Sequence, residues 1–577
     1  MIKKIWICLL AFILASCSIT PNNPSLIEGS AEGKNGPIKV ELFIKDNTIK
    51  HIELIEHQET VGFDKTMISI ISQVLSSQSL DVDVVSGATE SSIGVLNAIK
   101  DALDKTDITL SNRLPQKSNQ VHSEVLIIGA GSAGITSAIE AVNQGYTDVR
   151  VIEKMPFGGG NTRMSGGEYA CPNNYLQMQQ GINDSKELFF NDIYEGGGKL
   201  GKKELIQTIV DHIDTNLEWL MNYIHVEYKD TLSWYGGHTV ARTLWPVGDG
   251  AAYIDKLINK ALDLGVKIDY NTHADCFITD NDNKVIGVKT TYNNETINYY
   301  ATDGVILATG GFGANVEMRQ KYDTIWLSLD ENIPTTNSPA ATGDGLIMAM
   351  DIGANLVGME YIQLYPINNP ATGNYYYMDY ARIISNAILV NQDGERFVDE
   401  KETRDNIAKA IIAQPSHVAY EFISEKVIDE LKLNQDYKDE LLRGIDQKVI
   451  VIGSLEECAA HFNIPVSTLR KTIENYDAMA RNNKDTEFGR TQKLEEIGDG
   501  PYVMFSSIVS VHYTMGGVEI NEKAQVLNMA GNQIENLYAA GEVTGGVHGN
   551  NRLGTLSIPD TVTFGRIAAQ TCWKENH

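Results

Sequence analysis

The stretch Val125–Gly134, VLIIGAGSAG, constrains this chain more than any other. Four apolar residues run into Gly129-x-Gly131-x-x-Gly134. Apolar positions then recur at helical spacing through Ile135, Ala138, Ile139 and Ala141. Val151-Ile152-Glu153 follows, an apolar pair ending in an acid 24 residues beyond Gly129. The order is strand, tight turn, helix, strand, acid. Glycines in such a turn let the backbone approach a pyrophosphate, the helix N-terminus faces its charge, and the acid is placed for a ribose. The expected ligand is a dinucleotide held at Gly129, Ala130, Gly131, Ala133, Gly134 and Glu153. Taken alone, the stretch suits NAD as well as FAD.

A chain of 577 residues predicts two to four domains. Its net charge of −28, from 75 acids against 47 bases, excludes a phosphate-neutralising role, so no nucleic-acid partner is expected. The six cysteines form no CxxC and no CxxCH, so no zinc, iron–sulfur or c-type haem site is expected. At the N-terminus, Lys3 and Lys4 precede the apolar run Ile5–Leu14 and then Ala15-Ser16-Cys17. That is the pattern of an export signal, too short to span a membrane comfortably. Leu14-Ala15-Ser16-Cys17 resembles a bacterial lipobox. The resemblance implies a signal peptide over 1–17, lipidation of Cys17, and an exported body tethered to the membrane on its extracytoplasmic side, periplasmic or cell-surface. Residues 18–36, rich in Ser, Pro, Asn and Gly, read as the tether.

Residues 27–112 read as a small α+β domain. Ile38, Val40, Leu42 and Ile44 alternate with polar residues, Asp46-Asn47 is a turn signal, and Ile49–Ile55 resumes the alternation, as in a hairpin. Helical patterns follow from Met67 and from about Ser91. Between them, Asp83-Val-Val-Ser86-Gly87-Ala88-Thr89 resembles the flavinylation motif of the FMN-binding domain family. The resemblance implies FMN esterified through its phosphate to Thr89 by a dedicated flavin transferase, with Asp83, Ser86 and Gly87 as recognition elements.

Beyond Glu153 lies a glycine-dense loop with Gly160-Asn161-Thr162 and Gly166-Gly167, suited to backbone contact with a flat ring or a phosphate. A long helical region is expected from Ser185 to about Tyr223. Val305–Gly313, VILATGGFG, reads as a buried strand ending at Thr309-Gly310-Gly311, with Asp344 in the segment that closes it, and Tyr538-Ala-Ala-Gly541-Glu542 is a third such element. GxGxxG, ATGG and AAGE in this order resemble the FAD-binding subunits of fumarate reductase, flavocytochrome c and succinate dehydrogenase. The resemblance covers about 123–577. It implies non-covalent FAD, with Ser557 among its contacts, in a Rossmann-like α/β domain over 123–359 and 510–577, and a capping domain, α+β, inserted at 360–509.

Two further segments resemble the soluble fumarate-reductase branch: Thr403-Arg404-Asp405, and His548-Gly-Asn-Asn-Arg552-Leu. They imply Arg404 as general acid and Arg552 as the clamp on a substrate carboxylate. Asp379 and Arg382 fall close to the positions of that branch's proton relay. Tyr365, Met378-Asp379, Tyr513 and Leu244-Trp245 replace polar or basic groups that would bind a second carboxylate. Each lost charge-assisted bond is worth about 1.5–3 kcal/mol, so fumarate is a poor substrate. Tyr365 and Asp379 resemble the urocanate-reductase branch. The expected substrate is an enoate, urocanate first, held by Arg552 with His512, Tyr365, Tyr513 and Trp245. A cinnamate- or acrylate-type enoate, a steroid-type dehydrogenation and a purely electron-transferring flavolipoprotein stay open. No nicotinamide site is evident, which points to a membrane or extracytoplasmic electron donor.

Overall fold

The computed structural model describes residues 25–57 except 35, 46 and 47; 67, 70–71, 73–75, 78–80 and 82; 89–106 and 110; and 119–577 except 293 and 294. The chain divides into two units, Met1–Lys117 and Ser118–His577.

In the first unit, three antiparallel strands, Ser25–Glu32, Pro37–Lys45 and Thr48–Glu56, form one sheet. Ile38, Val40, Leu42 and Ile44 are buried beneath the helix Thr89–Leu103, which buries Val95, Ala98, Ile99 and Ala102. The first strand corrects the tether reading. Residues 25–32 pair with 37–44 position for position, Ile27 opposite Leu42 and Ala31 opposite Ile38. Gly29 allows the helix to lie directly on this strand, since a Cβ there would sit 2.0 Å from the Ala98 carbonyl oxygen. Thr89 opens the helix. Cys17 and residues 83–88 of the flavinylation motif lie outside the described residues.

Among the described residues the second unit holds four sheets, two of three strands each and two larger ones that frame the site. The larger of these two has eight strands, five of them parallel: Gln120–Ile128, Val149–Ile152, Glu295–Leu307, Gln533–Ala539 and the short Lys267–Asp269. Ile127 pairs with Val151 on one side and Ile306 on the other, and Ile306 with Tyr538. The carboxyl-terminal ends of these strands, Val125–Ile128 and Val305–Leu307 among them, are continuous Val, Ile and Leu and buried, because both faces are covered there. The register brings the carboxyl ends Ile128, Ile152, Leu307 and Ala539 to one edge, where open α/β sheets bind ligands. The smaller sheet orders Ile362–Asn368, Tyr502–Thr514, Ala419–Ser424 and Ile388–Val390, with Ile450–Gly453 also paired to Tyr502–Thr514. Its long strand crosses the 509/510 boundary and carries His512 and Tyr513 to the larger sheet, where Thr514 N donates to Glu542 Oε1 at 3.0 Å.

The long helix expected over 185–223 is two helices, Lys186–Gly196 and Lys203–Asn222. The glycines at the break make room for another loop: a Cβ on Gly197 would lie 2.5 Å from the His548 carbonyl oxygen, and Asn550 N donates to Gly197 O at 3.1 Å.

Candidate active site

Four glycine-bearing turns meet at the carboxyl edge of the parallel strands and line an open cleft. Gly129, Gly131, Ala133, Glu153, Gly160, Asn161, Thr162, Thr309, Gly310, Asp344, Glu542 and Ser557 all line it. Ala130 supports it, donating its N–H to Glu153 Oε2 at 2.8 Å, while Met155 N donates to Oε1 at 2.9 Å. Burial raises the Glu153 carboxyl above the usual range, against the pull of these two donors. Gly134, Gly311 and Gly541 are packing positions outside the lining. A Cβ on Gly134 would meet the Gly129 carbonyl oxygen at 1.9 Å, and one on Gly311 would meet Thr514 Oγ1 at 2.0 Å. Gly166 and Gly167 also lie outside the lining, packed against Tyr380 and Gly250.

The cleft fits a flavin dinucleotide. Gly160 and Gly310 face open space, with nothing within 4 Å of an added Cβ. The helix Ser132–Gln144 begins at Gly131, which supplies no side-chain cap; Ser132 N makes a long contact to Thr162 Oγ1 at 3.4 Å, and the first turn otherwise offers its N–H groups to an anion. Thr309 Oγ1 is buried without a partner among the described residues. The sequence reading missed Lys154, His273 and Thr336. Lys154 and His273 bond Asp344 and hold its carboxyl below the usual range against burial.

A second cavity, of about 460 Å³, is lined by Trp234, Tyr235, Tyr365, Arg382, Arg404, Asn551 and Arg552, among others. Arg552 lines both cavities. Two of its three arginines have no carboxylate partner among the described residues. Arg404, the first residue of the helix Arg404–Ile412, has only a long contact from Nη1 to Gln363 Oε1 at 3.5 Å and stacks over Tyr365 at 5.0 Å. It stands at the positive end of the helix dipole. Arg552 is 4 % exposed, leaves Nε without a partner, and stacks over Tyr513 at 4.4 Å. Burial first, and then the charge of Arg404, pull its pKa down to about 10. An anion entering here relieves all of these costs at once.

Arg382 is the opposite case. Its Nε and Nη2 grip Asp379 at 2.7 and 2.8 Å, and Nη1 donates to the Glu400 carbonyl at 2.9 Å. Burial works against its charge, but Asp379 outweighs burial and raises its pKa. Tyr365 Oη donates to Asp379 Oδ2 at 2.5 Å. Asp379, fully buried, therefore stands behind Tyr365 and Arg382 and has no open face toward the cavity. His512 lines the larger cleft, with Nδ1 2.8 Å from Thr336 Oγ1; burial and the two unpaired arginines hold it neutral. Tyr513 lines that cleft too. Trp245 lines neither cavity; it packs on Tyr380 at 3.9 Å between ring centres.

The loop carrying Trp234 and Tyr235 is pinned to the Arg552 loop through His238, which sequence reasoning missed. Arg242, fully buried, grips Asp184 with Nε and Nη2 at 2.8 and 2.9 Å and donates from Nη1 to Asp192 and to His238 Nδ1. His238 Nε2 then donates to the Gly554 carbonyl at 2.9 Å. Burial and Arg242 lower the His238 pKa to about 4, so the ring is neutral and its one proton sits on Nε2.

Carboxyl-edge turns around a dinucleotide-sized cleft, sharing one arginine with a cavity that holds two guanidiniums without carboxylate partners among the described residues, suit a flavoprotein oxidoreductase. The FAD binding domain profile matches residues 124–558, and the FMN-binding domain profile matches 33–104. Urocanate reductase of Eggerthella lenta is 37% identical over 554 residues, covering 94% of this chain and 91% of that one. The acrylate reductase flavoprotein subunit of Shewanella woodyi is 33% identical, covering 78% and 90%. The solved open conformation of a flavocytochrome c3 fumarate reductase aligns with TM-score 0.65 and 32% identity over 79% of this chain and 78% of that one. The chain belongs to the FAD-dependent fumarate reductase-like family, with an N-terminal FMN-binding domain, and is a flavin-dependent oxidoreductase of the CH–CH class.

Proposed function

We propose that the protein reduces the C=C bond of an α,β-unsaturated carboxylate, urocanate to dihydrourocanate first among them. The observation that carries this is the pair Arg404 and Arg552: two guanidiniums without carboxylate partners among the described residues, facing one small cavity, one of them shared with the dinucleotide cleft. Arg552 and neutral His512 hold the carboxylate and stabilise charge as it develops on it. Bound FAD, when reduced, supplies a hydride to the β-carbon. Arg404 delivers its proton to the α-carbon, as a general acid that loses it only while carbanion character develops and regains it through Arg382 and Asp379. Tyr365, Trp234 and Tyr235 give the distal group an aromatic wall suited to a flat ring. The urocanate reductase of Eggerthella lenta supports that ring being imidazole, and the acrylate reductase relative keeps smaller enoates in the panel.

Upstream, FMN ester-linked to Thr89 would pass electrons from a membrane or extracytoplasmic donor to FAD. A flavin transferase would install it, and lipid on Cys17 would anchor the exported body. Flavin that stays with the polypeptide in denaturant, and is lost in Thr89→Ala, tests the linkage; lipid-tagging of Cys17 tests the anchor. The substrate is tested by reducing the protein anaerobically and following flavin absorbance with urocanate, cinnamate, acrylate and fumarate. Urocanate should reoxidise it fastest. A slow response to urocanate beside a fast one to cinnamate overturns the substrate choice.

A further inference from the structure

Glu421 lies in the middle of the smaller sheet, with Leu389 opposite it on one side and Phe505 on the other. It is fully buried; among the described residues no donor reaches either carboxyl oxygen, and the Asp379 carboxyl lies beside it within reach of a hydrogen bond. The charged groups facing it are Asp379, Arg382 and Lys401. Both cations are already engaged: Arg382 grips Asp379 and the Glu400 carbonyl, and Lys401 donates to the carbonyls of Arg382, Ile383 and Ser385. A carboxylate at 421 would be a buried charge without a donor, next to the charge of Asp379, and such an arrangement is costly. A neutral acid needs no donor, and it offers its own O–H to the neighbouring carboxylate. Burial, and then Asp379, push the Glu421 carboxyl well above the usual range, in keeping with that geometry.

We propose that Glu421 stores, as a neutral carboxylic acid, the proton that resets Arg404 after each reduction, passing it through Asp379 and Arg382. This rests on the enoate reading above. In each cycle a hydride reaches the β-carbon and the Arg404 proton reaches the α-carbon, leaving a saturated acid and a neutral guanidine. Arg382 returns a proton to Arg404, Asp379 relays one to Arg382, and Glu421 relays one to Asp379. One proton from solvent then restores Glu421. Two carboxyls sharing one proton beside an arginine form a reservoir matched to a reaction that consumes one proton per turnover. Glu421 touches no substrate, so it is a positioning and reservoir residue.

The test compares the FAD-loaded wild type with Glu421→Gln and Glu421→Asp. Infrared difference spectroscopy should show a buried carboxylic-acid C=O band in wild type that is absent from Glu421→Gln. Pre-reduced Glu421→Gln should complete its first turnover at the wild-type rate, because Arg404 starts protonated. Its steady-state rate with a viologen donor should fall at least tenfold at unchanged KM, and Glu421→Asp should recover part of that loss. The wild-type rate should also fall at alkaline pH, where the stored proton is lost, with that limb missing in Glu421→Gln. Steady-state turnover of Glu421→Gln at the wild-type rate, or no acid band in wild type, overturns the proposal. Failure of every enoate to reoxidise the wild type overturns the enoate reading instead, and the infrared band still reports the state of Glu421.

Discussion

The two cavities of the larger unit are built by opposite means. The dinucleotide cleft is a backbone structure: Gly129, Gly131, Gly160 and Gly310 expose main chain at the ends of parallel strands, and the acids nearest it, Glu153 and Asp344, are hydrogen-bonded. The substrate cavity is a side-chain structure whose two key cations, Arg404 and Arg552, are left without carboxylate partners. The acids of the first are already matched, while Thr309 Oγ1 and the uncapped start of the helix Ser132–Gln144 are left for a ligand. Charge in the second is unmatched, so the cavity is completed by an anion. Binding and chemistry are thus separable by mutation, and Arg552 is the residue where they meet.

The largest expected effect is in the substrate cavity. Arg404→Lys keeps a cation but not the planar acid, and kcat should fall by about 10²- to 10⁴-fold with FAD content unchanged, as read by turnover and flavin absorbance. Arg552→Gln loses a charge-assisted clamp worth about 1.5–3 kcal/mol, so KM for the enoate should rise about 10- to 100-fold. The opposite pattern tests the cleft. In Gly134→Ala, the added Cβ would fall 1.9 Å from the Gly129 carbonyl oxygen, where backbone must shift. That overpacking costs about 1–3 kcal/mol, so bound FAD per chain and Tm should both drop. If Gly134→Ala keeps its FAD while Arg404→Lys loses it, the division of labour is wrong.

Much of the cleft was legible in the sequence because its demands are local: a turn needing glycine, a helix start, an acid a fixed distance on. The same holds for Arg404 and Arg552, which sit in short contiguous motifs. Gly134 has a packing role within its own turn, against the Gly129 carbonyl, whereas those of Gly311, against Thr514 and Glu542, and of Gly541, against Ala133, join turns far apart in the chain and leave no local signal. Asp379 was legible as a residue, but its saturation by Arg382 and Tyr365 depends on how a helical turn meets a strand. Trp234, Tyr235, His238 and Glu421 carry no local signal. Their roles arise from sheet pairing and a buried ion network, which spacing does not encode.

The smallest effects probe what holds the substrate cavity in shape. Tyr365→Phe removes one hydrogen bond to the Asp379 carboxylate, about 1.5–3 kcal/mol, while the Arg382 grip on Asp379 remains, so kcat should fall a few-fold. His238 has a pKa lowered from 6.5 to about 4 in the fold, so between those values the unfolded chain binds the extra proton. Its contribution to stability is therefore full above pH 6.5 and is lost as pH falls through 4. Tm measured across that window should decline, and His238→Gln, which still accepts from Arg242 and donates to Gly554, should flatten the decline.

Single-turnover reoxidation of fully reduced, FAD-replete Arg404→Lys by urocanate decides whether an unpaired guanidinium delivers the proton to an enoate held beside the flavin. The variant should still bind urocanate and show essentially no reoxidation, while wild type is reoxidised rapidly. Reoxidation of the variant at the wild-type rate would mean that the proton comes from elsewhere.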